Sequence, residues 1–364
     1  MRPLLKGYPG TFWLCEWAPD SKHLIAEAIV GTRIKLLQID VRTGESSTLA
    51  DILNAGGDMT ASADGRILAF VAEKADSPPD VWSLTTDQPP RQLTNFNPQI
   101  ASLKLGNVSN VTWTNRKDGQ ALHGVLVTPA DFKSGHLYPT IVEVHPGNDA
   151  WWFGWQGSWW QWAQLLASNG YAVFLPNPRG STGQGWEFGE LFHSWISDAA
   201  FDDTMDGIDS LIAQKIADPD RLGIGGWSNG GFLSAWAITH TNRFKAAVLF
   251  AAPVDLELSW GATDIGGFFQ VTVGDTPLRN RQLYESRSPF FFVKNCGTPA
   301  LILHGETDQG VPIAQTYAFY HALKALGVET EMVVYPREGH SIEERAHQID
   351  FQTRVLAWYD KHLK

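Results

Sequence analysis

Hydrophobic positions along the chain follow two patterns, and the change falls near residue 107. Before it, short stretches alternate apolar and polar residues between polar turns, as at 34–39 and 81–84, which predicts half-buried strands. The segment Trp17-Ala18-Pro19-Asp20-Ser21-Lys22-His23-Leu24 returns in loose form as Ala61-Ser62-Ala63-Asp64-Gly65-Arg66-Ile67-Leu68, displaced by 44 residues. The strand-like stretches 34–39 and 81–84, and 47–49 and 91–93, repeat at a similar offset. A period of about 40–45 residues with about four strands per unit is that of a β-propeller blade. Two units fit, whereas closed propellers have about four to eight blades. Their open edges need cover from the rest of the chain or from another subunit.

Beyond residue 107 the strands become continuous apolar runs. A hairpin is expected over 108–114 and 121–127, around Lys117-Asp118-Gly119-Gln120. Buried strands follow at 140–144, 172–175, 222–225, 246–250, 300–303 and 331–334, suited to burial on both faces of a parallel sheet. Helical patterns alternate with them at 159–168, 202–214, 231–239, 313–326 and 342–362. The class this predicts is α/β, a doubly wound and mostly parallel sheet. Residues 1–106 read as a partial propeller of about two blades and 107–364 as an α/β domain.

Gly226-Trp227-Ser228-Asn229-Gly230 has the pattern GxSxG, with a strand before it and a helix after it. Such a turn forces the serine into a strained backbone and leaves room only for glycine two residues to either side. A serine hydroxyl needs a base to take its proton, and in this fold acid and histidine follow the serine in that order. Asp308, beyond the run at 300–303, and His340, beyond the last strand, meet the requirement. Both fall at carboxyl ends of strands, the edge where open α/β sheets build their sites. Asp255, after the run at 246–250, is the alternative acid. The oxyanion hole is assigned to the backbone N–H groups of Asn229 and Gly147, the latter on the loop His145-Pro146-Gly147-Asn148.

Composition narrows the partners. The chain is 43% hydrophobic and 18% charged, with a formal charge of −11. No basic excess exists to neutralise phosphates, which argues against nucleic acid or an anionic membrane. The two cysteines, Cys15 and Cys296, form neither a disulfide framework nor a metal-binding spacing. HExxH, GxxxxGK[ST] and a strand-to-helix GxGxxG are absent, so no metal or other cofactor is expected. The first residues lack the apolar core of a secretory signal, and no apolar run reaches the ~18 residues of a membrane span. The expected compartment is the cytoplasm. Of 16 tryptophans, six crowd into 151–162 directly after the oxyanion loop. Trp151, Trp152 and Trp155, with Phe268 and Phe269, are expected to line an apolar substrate pocket; Phe290, Phe291 and Phe292 are further candidates.

These residues make the chain resemble the prolyl oligopeptidase family of serine peptidases, in particular its acylaminoacyl-peptidase-like branch. The matching stretches are Asn177-Pro178-Arg179-Gly180-Ser181-Thr182-Gly183, the run from Asp218 to Gly231, Phe244–Val248, the run from His304 to Asp308 with Val311-Pro312, and Glu338-Gly339-His340. They extend over about residues 60–364. The resemblance implies an α/β-hydrolase domain behind a propeller that screens substrates by size, cleavage of short peptides with ester hydrolysis among relatives, and Ser228, Asp308 and His340 as the triad. Three departures stand out. The propeller portion is short, the loop usually written HGGP reads His145-Pro146-Gly147-Asn148, and Asn229 replaces a frequent tyrosine.

The expected function is a serine hydrolase acting on short peptides or acyl-peptides, with a carboxylesterase using the same triad as the alternative. A binding or assembly module is the alternative from another class. It also describes the N-terminal region, whose unpaired blade edges predict a homo-oligomer.

Overall fold

The computed structural model describes residues 4–51, 58–85, 88–147, 149–155, 162–192 and 198–364. The N-terminal part forms two four-stranded antiparallel sheets. The first takes β1 (Thr11–Trp17), β2 (His23–Val30), β3 (Arg33–Asp40) and β4 (Ser46–Ala50) in chain order. The second takes β5 (Met59–Ala61), β6 (Ile67–Lys74), β7 (Ser77–Thr85) and β8 (Arg91–Gln92), again in chain order.

The repeat in the sequence is a repeat in the backbone. Ser21 N–H donates to Ala18 and Ala18 N–H to His23; at the equivalent places Gly65 N–H donates to Ser62 and Ser62 N–H to Ile67. Asp20 accepts from the N–H of Lys22, as Asp64 does from Arg66. Ser21 and Gly65 share a left-handed backbone, with φ of 56° and 69°. The two sheets then pack through Ala18, Ile25, Leu36 and Ala50 against Met59, Phe70 and Ala72. On β1, Trp13 and Trp17 remain 49% and 63% exposed.

The rest of the chain builds an eight-stranded sheet in the order β16-β15-β14-β13-β11-β12-β10-β9. The hairpin β9 (Asn107–Thr114) and β10 (Ala121–Thr128) is antiparallel, as is the join of β10 to β12 (Ala172–Asn177). All other pairs are parallel: β11 (Tyr138–Val144), β12, β13 (Ala217–Trp227), β14 (Phe244–Phe250), β15 (Ala300–Gly305) and β16 (Thr330–Tyr335). The apolar runs serve two cores because alternate side chains leave opposite faces of a strand. Val142, Phe174, Leu249 and Ile302 join α3 (Asp198–Ala213), α4 (Asn229–His240) and α8 (Ala314–Ala325). Ile141, Val173, Phe250 and Leu303 join α1 (Trp162–Ser168) and α9 (Arg345–Leu363) on the other face. The sequence-predicted helix over 159–168 is seen from Trp162; Trp159, Trp160 and Asn148 lie outside the described residues. Between β14 and β15 the chain also forms α5 (Leu256–Ala262), α6 (Gly266–Val273) and α7 (Arg281–Ser286), which the pattern did not announce. The short α2 (Trp186–Gly189) follows β12. No helix among the described residues is long and apolar enough to cross a membrane.

One buried carboxylate ties the hairpin to the helical layer. Asp203 of α3 accepts from Asn115 at 2.7 Å and from Arg179 through Nε, Nη2 and the backbone N–H at 2.8–2.9 Å. Its carbonyl accepts from Trp113 Nε1. Arg179 is itself largely buried and its other partner, Asp118, is half-exposed, so removing Asp203 would strip most of the compensation from its charge. Asp203→Ala is expected to lower stability by about 3–5 kcal/mol. Arg116→Ala, which removes an exposed guanidinium from Asp206 and Asp209, should cost much less. Urea unfolding midpoints of the two variants measure the contrast.

Candidate active site

The site forms where the parallel strands end. Ser228 follows β13 and stands at the N-terminus of α4 with φ 58° and ψ −119°. The turn is this tight because Gly226 and Gly230 meet: a Cβ on Gly226 would lie 2.6 Å from Gly230 C and from Val144 O, and one on Gly230 would lie 2.0 Å from Val144 O. Only hydrogen fits at either place, and the serine between them carries the left-handed strain. Ser228 N–H donates to Phe250 O at 2.9 Å, which fixes the turn to the neighbouring strand.

His340, beyond β16, bridges the other two residues. Its Nδ1 is 2.7 Å from Asp308 Oδ2, and its Nε2 is 3.0 Å from Ser228 Oγ. With Nδ1–H donating to the carboxylate, the Nε2 lone pair faces the serine hydroxyl. Asp308, beyond β15, has a fully buried side chain. Burial alone would raise its pKa, but hydrogen bonds from His304 and His340, with the Val311 N–H, hold it well below the usual carboxylate range. The carboxylate therefore stays charged beside the imidazole.

Several neighbours of this group gave no signal in the sequence as members of the site. His304 is wholly buried; its Nε2–H points at Val311 O at 2.8 Å and at Asp308 Oδ2 at 3.2 Å, and its Nδ1 accepts from Thr316 Oγ1. Glu338 accepts from the N–H groups of Glu343 and Glu344 and from His347 Nδ1. Its carbonyl accepts both the N–H and the hydroxyl of Thr307. Gly305 completes the junction, since a Cβ there would stand 2.0 Å from Gly339 O. The loops carrying Asp308 and His340 are thus bonded to each other beneath the site. The triad spacing pointed to the three residues but not to what holds them.

Asp255, the alternative acid, caps α5 instead, accepting from the N–H groups of Glu257 and Leu258. Asn229 opens α4, where the first N–H groups have no carbonyl within the helix to reach. Gly147 sits on the loop after β11 with φ 53°. Beneath it His145 is buried, its Nε2 2.8 Å from Ser181 Oγ and its Nδ1 3.1 Å from Pro146 O. Burial pushes its pKa down to about 4, so the ring is neutral near pH 7.

The aromatic expectations divide. Trp151 packs in the core under the sheet, donates from Nε1 to Glu143 O, and exchanges two hydrogen bonds with Asn177. Trp152 packs against Ile29 and Ile34 and donates to Glu73 Oε1, so it joins the N-terminal sheets to this loop. Packing and hydrogen bonds thus occupy much of the surface of both rings. Trp155 is buried, and Phe269 belongs to the core. Phe268 is exposed on α6 and touches Phe192. Its helix is anchored to the Asp308 loop by Asp264 N–H to Gln309 O and Thr263 Oγ1 to Gly310 O.

Comparison with known proteins places this arrangement. The sequence profile of the prolyl oligopeptidase family matches residues 155–364. The uncharacterized peptidase YuxL of Bacillus subtilis is 33% identical over 81% of this chain and 45% of its own length. Dipeptidyl-peptidase 5 of Porphyromonas gingivalis is 26% identical over 96% of this chain and 52% of its own. Among solved structures, the acylaminoacyl peptidase of Pyrococcus horikoshii superposes with a TM-score of 0.86 at 26% identity, covering 99% of this chain and 57% of that one. The chain thus spans about half the length of these relatives. Sequence profile, relatives and superposition agree that it belongs to the prolyl oligopeptidase family.

Proposed function

We propose that this chain is a serine hydrolase cleaving short peptides or acyl-peptides, with residues 107–364 as catalytic domain and 1–106 as two propeller-like blades. The observation that carries the reading is one imidazole, that of His340, within hydrogen-bond distance of both the Ser228 hydroxyl and the Asp308 carboxylate. In this mechanism Ser228 Oγ bonds to the scissile carbonyl carbon while its proton passes to His340 Nε2. Asp308 keeps the imidazole in the required tautomer and stabilises its cation. The N–H groups of Asn229 and Gly147 receive the oxyanion. His340 then returns the proton to the leaving amine as the C–N bond breaks. Water releases the acyl group by the same route.

Peptides are favoured because the named relatives are peptidases, among them a dipeptidyl-peptidase and an acylaminoacyl peptidase. A carboxylesterase using the same triad is the second reading, since acyl transfer to Ser228 serves esters as well as amides; the edge strand β1 exposes Trp13 and Trp17. Phe268 is the exposed aromatic we assign to substrate contact. The same exposed blade edge supports a homo-oligomer. We place the enzyme in the cytoplasm, where the free thiols Cys15 and Cys296 stay reduced.

Wild type should label with a fluorophosphonate probe and Ser228→Ala should not, with kcat reduced at least about 10⁴-fold in the variant. Aminoacyl p-nitroanilides should be turned over beside p-nitrophenyl esters; fast ester cleavage with negligible anilide cleavage would select the esterase. Light scattering should give a mass above that of one chain.

Asp308 also carries a pH signature. Its folded pKa lies below the unfolded value of about 3.9, so its stabilisation is present at neutral pH and is lost as pH falls below that value. Asp308→Asn should be less stable than wild type at pH 7, with the gap closing below about pH 4. Its kcat should fall about 10⁴-fold, as expected for a misheld tautomer. Melting curves across pH, with kinetics at pH 7, check both.

A further inference from the structure

Trp227, between Gly226 and the nucleophile, is half-buried, and the catalytic scheme above does not use it. Two contacts set it apart from an ordinary strand-end aromatic. Its indole Nε1–H donates to the carbonyl of His340 at 2.7 Å, across 113 residues of sequence. Its ring centroid is also 4.9 Å from that of the His340 imidazole, with the planes inclined at 38°. One side chain therefore holds both the backbone and the ring of the residue read as the base.

The indole is itself held. Phe250, which pairs with Trp227 across β13 and β14, stacks near it at 6.1 Å and 19°. Phe351 of α9 meets Phe250 edge-on at 5.0 Å. Phe250 is fully buried and Phe351 nearly so. A file of aromatic rings thus runs from the core to the imidazole and ends one residue before Ser228. Trp227 is also the chain neighbour of Ser228, so the residue before the nucleophile is the one that contacts the base.

We propose that Trp227 is a positioning residue for His340, and that its ring face also stabilises the imidazolium formed during reaction. The inference rests on Ser228, His340 and Asp308 acting as set out above. When Ser228 gives its proton to His340 Nε2, the imidazole gains a full positive charge while Asp308 keeps its negative one. The Asp308 carboxylate faces Nδ1, and the indole face lies beside the ring at a separation where a cation is attracted to a π system. That attraction is absent for the neutral ring and present once the proton has moved. It therefore favours the transition state over the ground state and acts on kcat. The N–H to carbonyl bond supplies the orientation: it ties the His340 backbone to the end of β13, while the bonds from Thr307 to Glu338 tie the same loop to the one bearing Asp308.

Two substitutions separate the parts. Trp227→Phe keeps an aromatic face and removes the N–H donor, whereas Trp227→Leu removes both and keeps apolar bulk. Rates on p-nitrophenyl acetate are normalised to sites titrated with a fluorophosphonate, so that unfolded material does not count. Trp227→Met takes the place of the leucine variant if that variant does not fold. The expected result is a kcat loss of about threefold to tenfold for Phe and about tenfold to a hundredfold for Leu, with KM within twofold of wild type. Partial rescue by Phe is what filling space alone would not produce. A leucine variant within twofold of wild-type kcat, equal losses for Phe and Leu, or a loss confined to KM would each overturn the inference. A wild type that neither labels nor turns over substrate would instead strike the hydrolase reading on which it rests.

Discussion

An imidazole can be held within 2.7 Å of a carboxylate 32 residues away only if the loops bearing them cannot drift apart. Here that constraint is met by a main-chain junction rather than by the triad's own hydrogen bonds. Gly305 lies flat against Gly339, and Thr307 donates twice to the carbonyl of Glu338. The Glu338 carboxylate in turn gathers the N–H groups that lead into α9. A side chain as small as a methyl at Gly305 has no place to go. The Asp308–His340 pair sits on this junction, and the low dielectric around a fully buried carboxylate makes its hydrogen bonds count for more than they would in water.

The same economy governs the elbow. Two glycines allow β13, the loop after β11 and the start of α4 to approach within van der Waals contact. That closeness lifts the serine out of the sheet and brings the Gly147 loop beside it. The sheet order sets β11, β13, β14, β15 and β16 side by side, so that the loops after five strands distant in sequence open onto one edge.

Much of this was legible before any coordinates. Continuous apolar runs marked the buried strands because both faces of the sheet are covered, and GxSxG with its order of acid and base marked the serine, Asp308 and His340. The 44-residue repeat was legible because its turns rest on local side-chain bonds, those of Asp20 and Asp64. What escaped was set by long-range packing. Helices α5 to α7 are short and carry no sustained periodicity. His304 and Glu338 look like ordinary loop and strand-end residues until the fold turns them toward the site. The tryptophans were legible only in part for a related reason: aromatic density announces burial, but not that Trp152 packs against Ile29 and Ile34.

That contact has a consequence for how the N-terminal region should be regarded. The β2–β3 hairpin reaches across so that Gly31 N–H bonds to Gly183, Phe153 N–H bonds to Thr32, and the Arg33 guanidinium covers the Phe153 ring at 4.3 Å. Two of these contacts hold Phe153, a few residues beyond Gly147, and the third holds the loop after β12. The N-terminal sheets therefore brace the loops after β11 and β12. A chain trimmed of them would lose these bonds even with Ser228, Asp308 and His340 still in its sequence.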